Sequence, residues 1–156
     1  MKKIKLFIAA TFFSIALILG GCVKPTDTGT WADTESAIVI KNNGGGNIQT
    51  FISKRAELAK SGKIVRIEGY CASACTIFYS LPNACMAKGS SLHFHGADSP
   101  ISAGEGIANK RLARFYRAGI KEGFNTEWYK LSKPMHKLTR AQVKELDPEI
   151  KFCEKL

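Results

Sequence analysis

Acidic residues are scarce in this chain. Thirteen Asp and Glu stand against 23 Lys and Arg, a formal net charge of +10 at pH 7. The basic residues are dispersed rather than gathered into a block, and no aromatic stacking motif accompanies them. That argues against a nucleic-acid-binding module. An anionic lipid or polymer surface is the broader partner class such a charge favours. Long apolar runs are missing too: the run at 6–19 falls short of the roughly 20 residues of a membrane span. There is no Cys-x-x-Cys pair, and Cys71-x3-Cys75 with His93 and His95 fits a zinc site only loosely. No metal and no cofactor are therefore expected. No internal repeat is present.

What the chain does have begins with Met1-Lys2-Lys3-Ile4-Lys5 ahead of that short apolar run, the pattern of a secretion signal. The run ends Leu19-Gly20-Gly21-Cys22, which resembles a bacterial lipobox: small residues admit the peptidase, and the Cys22 thiol accepts the lipid. An ordinary signal peptide followed by a coincidental cysteine is the alternative. The expected organisation is a lipoprotein signal peptide at 1–21, a lipidated tether at 22–35 and one α/β domain at 36–156, a size that suits a single core. Val23 rather than Asp follows the cysteine, which favours the outer membrane, facing the periplasm, in a Gram-negative host. Loss of Lys2, Lys3 and Lys5 with the leader lowers the formal charge from +10 to +7.

Residues 24–30 are rich in Pro, Thr, Asp and Gly and read as flexible chain. Residues 36–41 are apolar and β-branched, as in a buried parallel strand. After the glycine run, Ile48, Phe51, Ile52, Ala56 and Ala59 recur at helical spacing, and Ser61-Gly62 ends that helix. A second strand at 63–68 leads through 69–72 into a short buried helix at 73–81, stopped by Pro82-Asn83. Strands follow at 85–87 and 91–95. Strand–helix–strand–helix–strand order predicts an α/β fold with mainly parallel pairing and a helical C-terminal part. Residues 98–106 read as a loop. Ala108, Leu112, Phe115, Tyr116 and Ile120 predict one helix whose opposite face carries Lys110, Arg114, Arg117 and Lys121. That face is either simply solvated or a contact for an anionic surface. Thr139 is an expected N-cap for a helix at 140–146, and 149–153 an edge strand.

Three short signatures lie between 42 and 97. Asn42-Asn43-Gly44-Gly45-Gly46-Asn47 runs from a strand into a helix, where backbone N–H groups bind negative charge, including a developing oxyanion. Glycine in such a loop equally serves positive φ. Gly69-Tyr70-Cys71-Ala72-Ser73-Ala74-Cys75-Thr76 puts a serine at a helix start. Serine is also a favoured N-cap there, but Ala72 and Ala74 leave room for a substrate, and the Ala74 N–H suits an oxyanion. Leu92-His93-Phe94-His95-Gly96-Ala97 alternates, so both imidazoles share one strand face. A serine hydroxyl needs such a base to become nucleophilic. Four cysteines besides Cys22 imply two disulfides in an oxidising compartment. Three connectivities exist. Cys75–Cys85 is preferred because the intervening helix and Pro82 turn can return the chain, which leaves Cys71–Cys153.

These signatures, in this order, resemble the Clp protease proteolytic subunit and crotonase superfamily. They are most similar to small periplasmic Clp-like proteins with a Cys-x-Ser-Ala-Cys-Thr motif followed by Phe-His-Gly. The likeness covers residues 37–97, and its specificity lies in the combination of motifs. It implies a truncated Clp/crotonase-like fold, Ser73 as nucleophile, His95 as general base, and Gly45, Gly46 and Ala74 as the oxyanion hole. His93 stands where the pattern is usually small. The segment that carries the family's acid is Leu131-Ser132-Lys133-Pro134-Met135-His136-Lys137-Leu138-Thr139 here, without a carboxylate. The third residue is thus either absent or supplied by Asp98, Glu127 or Asp147, with Asp98 the first candidate. The activity implied is ATP-independent hydrolysis of small or unfolded peptides by a lipid-anchored serine hydrolase. The contrasting reading is a non-catalytic envelope lipoprotein that binds a partner protein through the same fold; it requires Ser73 and His95 to lie beyond hydrogen-bonding reach. Either is compatible with a homo-oligomer.

Acylation at Cys22 predicts that Cys22→Ala leaves the protein soluble or unprocessed after cell fractionation. A variant that stays processed and membrane-bound, but is extracted by salt, would assign anchoring to surface charge, which salt screens within about 8–10 Å.

Overall fold

The structure, a computed structural model, describes residues 30–97 and 102–155. The expected leader, the lipidation site Cys22 and Asp98 lie outside the described residues. Strands β1 (Thr30–Asp33), β2 (Ala37–Asn43), β3 (Ile64–Ala72), β4 (Ala84–Met86), β5 (Ser91–Phe94) and β6 (His136–Thr139) form one sheet in the order β1-β2-β3-β5-β6, with β4 on β3. Helices are α1 (Ile48–Lys60), α2 (Ser102–Ala113), α3 (Ala118–Thr126) and α4 (Arg140–Leu146). No helix of the described residues is long and apolar enough to cross a membrane.

The central pairings are parallel, as the strand–helix alternation predicts: β2 with β3, β3 with β4, and β3 with β5. β3 is long enough to serve two neighbours on one side. Val65, Arg66 and Ile67 pair with β4, and Tyr70, Cys71 and Ala72 pair with β5. β1 and β6 close the two edges in antiparallel fashion. Neither was expected. β1 falls inside the stretch read as tether, so the sheet begins at Thr30; its Trp31 packs edge-on against Phe78, 5.8 Å between ring centroids. β6 is four residues of mixed polarity with Leu138 alone buried, a pattern too short to carry a period.

α1 begins where Asn47 Oδ1 accepts from the Thr50 N–H at 3.1 Å, an N-cap. Its Phe51 and Leu58, two turns apart, face the core. Asn83 Nδ2 donates to the Leu58 and Lys63 carbonyls, at 2.9 and 2.7 Å, and so ties the end of α1 to the start of β3. Thr139 caps α4 as expected, reinforced by Gln142 in a capping box. The core is continuous from Ile40, Val65 and Ile67 through Phe78 to Leu92, Phe94, Tyr116 and Phe124, all essentially inaccessible.

The single helix expected through 108–121 is two. Between α2 and α3 the chain turns so that Tyr116 enters the core. There its hydroxyl meets Thr76 Oγ1 at 2.7 Å, and the next backbone N–H, that of Arg117, donates to the Tyr79 hydroxyl at 3.0 Å. Arg117 turns inward to Asp147, 2.9 Å away, whose carboxylate is 1% exposed, and also reaches Glu149. The basic face of Lys110, Arg114, Arg117 and Lys121 is therefore not continuous. The expected loop at 98–106 also shortens, since α2 starts at Ser102. The expected edge strand at 149–153 is reduced to one bridge, Phe152 beside Met86. Ser73–Phe78 is helical but of the tighter 3₁₀ kind.

The disulfides join Cys71 to Cys75 and Cys85 to Cys153, not Cys75 to Cys85 and Cys71 to Cys153. Cys71 is the last residue but one of β3, and the tight turn after the strand returns Cys75 to a Cα separation of 5.4 Å. Cys85 lies beside Arg66, well back along β3, where the chain end is bridged to β4 and brings Cys153 to 5.0 Å. Local turn geometry and the sheet register decide the pairing, and sequence spacing carries neither.

Loop-closure entropy ranks the two bridges. A sequence separation of 68 corresponds to about 4 kcal/mol and one of 4 to about 2 kcal/mol. Urea unfolding of Cys85→Ser/Cys153→Ser should therefore show the larger loss and Cys71→Ser/Cys75→Ser the smaller. The reverse order would mean that constraint of the unfolded chain is not what these bridges chiefly contribute.

Candidate active site

β2, β3 and β5 run parallel side by side, so their C-terminal ends share one edge of the sheet. Asn43 is paired with Cys71, and Ala72 with His93. The residues just past those ends are Gly44, Gly45 and Gly46 after β2, Ser73 after β3 and His95 after β5. All five line one cleft of ≈ 690 Å³. A crevice outside the carboxyl ends of parallel strands is the usual ligand site of an open α/β sheet.

The glycine loop lies directly on the serine turn. A Cβ on Gly45 would stand 2.6 Å from the Ala72 carbonyl oxygen and 2.8 Å from both the Ala74 nitrogen and Ser73 Cβ, and Gly45 has φ +84°. Asn43 is fully buried, and its Oδ1 accepts from the Gly45 N–H at 2.9 Å, which shapes the loop. The Gly45 amide is thus already engaged. The neighbouring Gly46 amide makes no hydrogen bond among the described residues, which leaves Gly46 the better placed of the two as an anion donor. Ala74 is the second residue of the 3₁₀ turn, where N–H groups precede the first intrahelical acceptors.

Ser73 has φ +54°, a left-handed conformation uncommon outside glycine and costly unless its surroundings impose it. The surroundings here are the Cys71–Cys75 bridge across it, Gly45 beneath it, and Thr76 Oγ1 donating to its carbonyl at 2.6 Å. Thr76 is held in turn by Tyr116. Ser73 itself is half-buried. Behind the turn, Arg55 donates to the Ile77 and Ser80 carbonyls. Burial, with Arg117 nearby, lowers its pKa to about 10, so it stays charged at neutral pH.

His95 is 8% exposed, and its Nδ1 is buried with no hydrogen-bond partner among the described residues. No hydrogen bond links it to Ser73 among those residues either. Gly96 lets the strand exit pass against the 129–131 segment: a Cβ there would overlap the Tyr129 carbonyl, and the Gly96 N–H donates to the Leu131 carbonyl at 2.8 Å. His93 is set apart from the cleft. It hydrogen-bonds Ser91 Oγ at 2.9 Å and packs on Tyr70; burial, then Lys137, holds its pKa below the usual 6.5. Strand alternation alone does not separate the two histidines. The separation arises because His95 lies past the end of β5.

Of the other candidates for a third residue, Asp147 is committed to Arg117 and absent from the cleft wall, and Glu127 is exposed elsewhere. Gln49, Arg111, Ser132, Lys133 and Met135 complete much of the wall and carried no signal in sequence. Asn43 did carry one: a polar residue at the buried end of a strand, immediately before three glycines.

No protein-family model and no curated protein matches the sequence. Among solved structures, a point mutant of ClpP1 from Listeria monocytogenes is similar over 72% of this chain and 71% of its own, with a TM-score of 0.50 and 15% identity. A crystal structure described as a putative enoyl CoA hydratase/isomerase (crotonase) from Legionella pneumophila covers 83% of this chain and 70% of its own, with a TM-score of 0.42 and 8% identity. The protein has a ClpP-like α/β fold, with mostly parallel strands.

Gly45 and Gly62 separate crowding from backbone handedness. Gly62 has φ +70° with nothing near its Cβ position. Gly62→Ala should cost about 1–2 kcal/mol for the left-handed conformation alone. Gly45→Ala should lose about 1–3 kcal/mol more, from overlap with residues 72–74. Equal losses in urea unfolding would mean that the glycine loop does not press on the serine turn.

Proposed function

We propose that this protein is a secreted, lipid-anchored serine hydrolase that cleaves peptide bonds without an ATPase partner. The observation that carries the reading is the meeting of Ser73, His95 and the glycine loop in one cleft. Ser73 Oγ attacks the substrate carbonyl carbon and gives its proton to the His95 imidazole. The carbonyl oxygen takes the negative charge and is met by the amides of Gly46 and Ala74, with Gly45 shaping the loop. Collapse of the tetrahedral intermediate expels the amine, which takes the proton from His95, and leaves Ser73 acylated. Water, deprotonated by His95, then releases the acid. Cys22 carries the lipid, and the domain works at the outer membrane facing the periplasm.

One observation favours a second reading, a binding protein that keeps the fold without the chemistry. His95 has no carboxylate on Nδ1, and no hydrogen bond joins it to Ser73, among the described residues. Catalytic hydrogen bonds are often loose before substrate binds, so a dyad remains workable. Its imidazole is less well oriented than one held by an acid, and triad members act as a unit. Slow chemistry is the consequence.

Reaction with a fluorophosphonate probe tests the assignment. Wild type should label slowly, Ser73→Ala not at all and His95→Ala at least about a hundredfold more slowly, the low end of a general base's worth. His93→Ala should matter less. Folded, disulfide-bonded wild type that never labels would favour the binding protein, and equal labelling of wild type and His95→Ala would remove His95 from the mechanism.

A further inference from the structure

The charge around the cleft is one-sided. Its wall includes Arg111 and Lys133 and, among the described residues, no Asp or Glu. A second cleft, ≈ 450 Å³, is lined by Lys110 and Lys130 together with Asn109 and Tyr129, again without a carboxylate among the described residues. None of these four cations forms an ion pair among the described residues. Some cations elsewhere are paired, Lys54 with Glu57, Lys63 with Asp33, Arg66 with Glu68, Arg117 with Asp147 and Glu149, Arg140 with Glu154, and others, such as Lys60 and Lys88, are solvated on open surface rather than gathered in a cleft. A third cleft, ≈ 490 Å³, makes the contrast plain, since Arg117 there is lined up with Glu149. Acid is present on the surface, at the exposed Glu122, Glu127 and Glu145, but none of these lines either cleft.

We propose that the cleft selects acidic peptides, with Arg111 and Lys133 receiving substrate carboxylates near the scissile bond and Lys110 and Lys130 extending the same preference along the chain. This specificity rests on the serine-hydrolase reading of the cleft. A bound acidic peptide supplies anionic partners to the four cations, and cations along a concave wall concentrate anions there. The cations are solvent-exposed, so each pair contributes modestly and is weakened by salt. The specificity is graded rather than absolute.

Binding, measured apart from turnover, tests it. Ser73→Ala protein is titrated into a fluorescent peptide of alternating Glu and Ala, and into its counterpart with Gln in place of Glu, with anisotropy read at low and physiological salt. The Glu peptide should bind about tenfold tighter at low salt, the scale of two or more exposed charge pairs, with a smaller margin at physiological salt. Arg111→Gln/Lys133→Gln should bring the two peptides within about twofold. A charge-matched control on exposed residues outside the cleft, Lys60→Gln/Lys88→Gln, should keep the preference. Equal binding of the two peptides, no binding of either at millimolar concentration, or equal loss in the control would overturn the proposal. So would a double variant that loses binding to phosphatidylglycerol vesicles while keeping the peptide preference, since the cations would then serve a membrane surface. The two readings fail separately. An unlabelled wild type that prefers the Glu peptide leaves an acidic-peptide binder, and a labelled wild type with no preference leaves a hydrolase of other specificity.

Discussion

The approach of the glycine loop to the serine turn is the contact on which the rest of the cleft depends. Backbone lies against backbone there, with no room for even a methyl group on Gly45. Such closeness is reached because β2 and β3 are parallel and, past a register shift between Lys41 and Asn43, still pair Asn43 with Cys71, so that one loop leaves the sheet beside the other. The parallel pairing of β3 with β5 then brings the His95 segment to the same edge. The order of strands thus fixes which three loops converge. Asn43, Gly45 and the Cys71–Cys75 bridge fix how closely they do so.

The serine turn is also held from behind. Thr76 and Tyr116 secure the Ser73 carbonyl, and Arg55 takes up the carbonyls of Ile77 and Ser80 that the short 3₁₀ helix leaves unsatisfied. Phe94 packs on Tyr116 and Trp128, so the strand that leads to His95 and the segment that holds the turn share one aromatic core. A left-handed serine persists when its surroundings over-determine it. Here those constraints are a disulfide, a glycine contact and a buried hydrogen-bond chain. On the His95 side the support is thinner. Packing positions the ring, but no hydrogen bond from a described residue orients Nδ1. Ser73 and the His95 ring are thus unequally supported by their surroundings.

Much of the fold was legible before the structure. β-branched residues in 36–41 and 63–68, the apolar spacing of Ile48, Phe51 and Ile52, and the N-cap Thr139 act over a few neighbours, so their pattern survives in the linear order, although the buried Leu58 of the same helix was missed. So did the convergence of the glycine loop, Ser73 and His95, because parallel strands joined by helices must end on the same side. The edge strands β1 and β6 were not legible, since four residues with one buried face show too little period. The break between α2 and α3 was hidden as well. An apolar repeat runs straight through it, and only the core site waiting for Tyr116 and the buried partner of Arg117 interrupt the helix.

The sequence by itself determined most of the local elements, the mainly parallel pairing implied by their alternation, and the residue types that reach the cleft. Tertiary structure alone decided the disulfide partners, the removal of His93 from the cleft, the engagement of the Gly45 amide by Asn43 and the placing of Arg111 and Lys133 in its wall. The physical reason is one of range. Propensity, capping and periodicity act between residues a turn or two apart, whereas these four outcomes depend on register and packing between segments far apart in the chain.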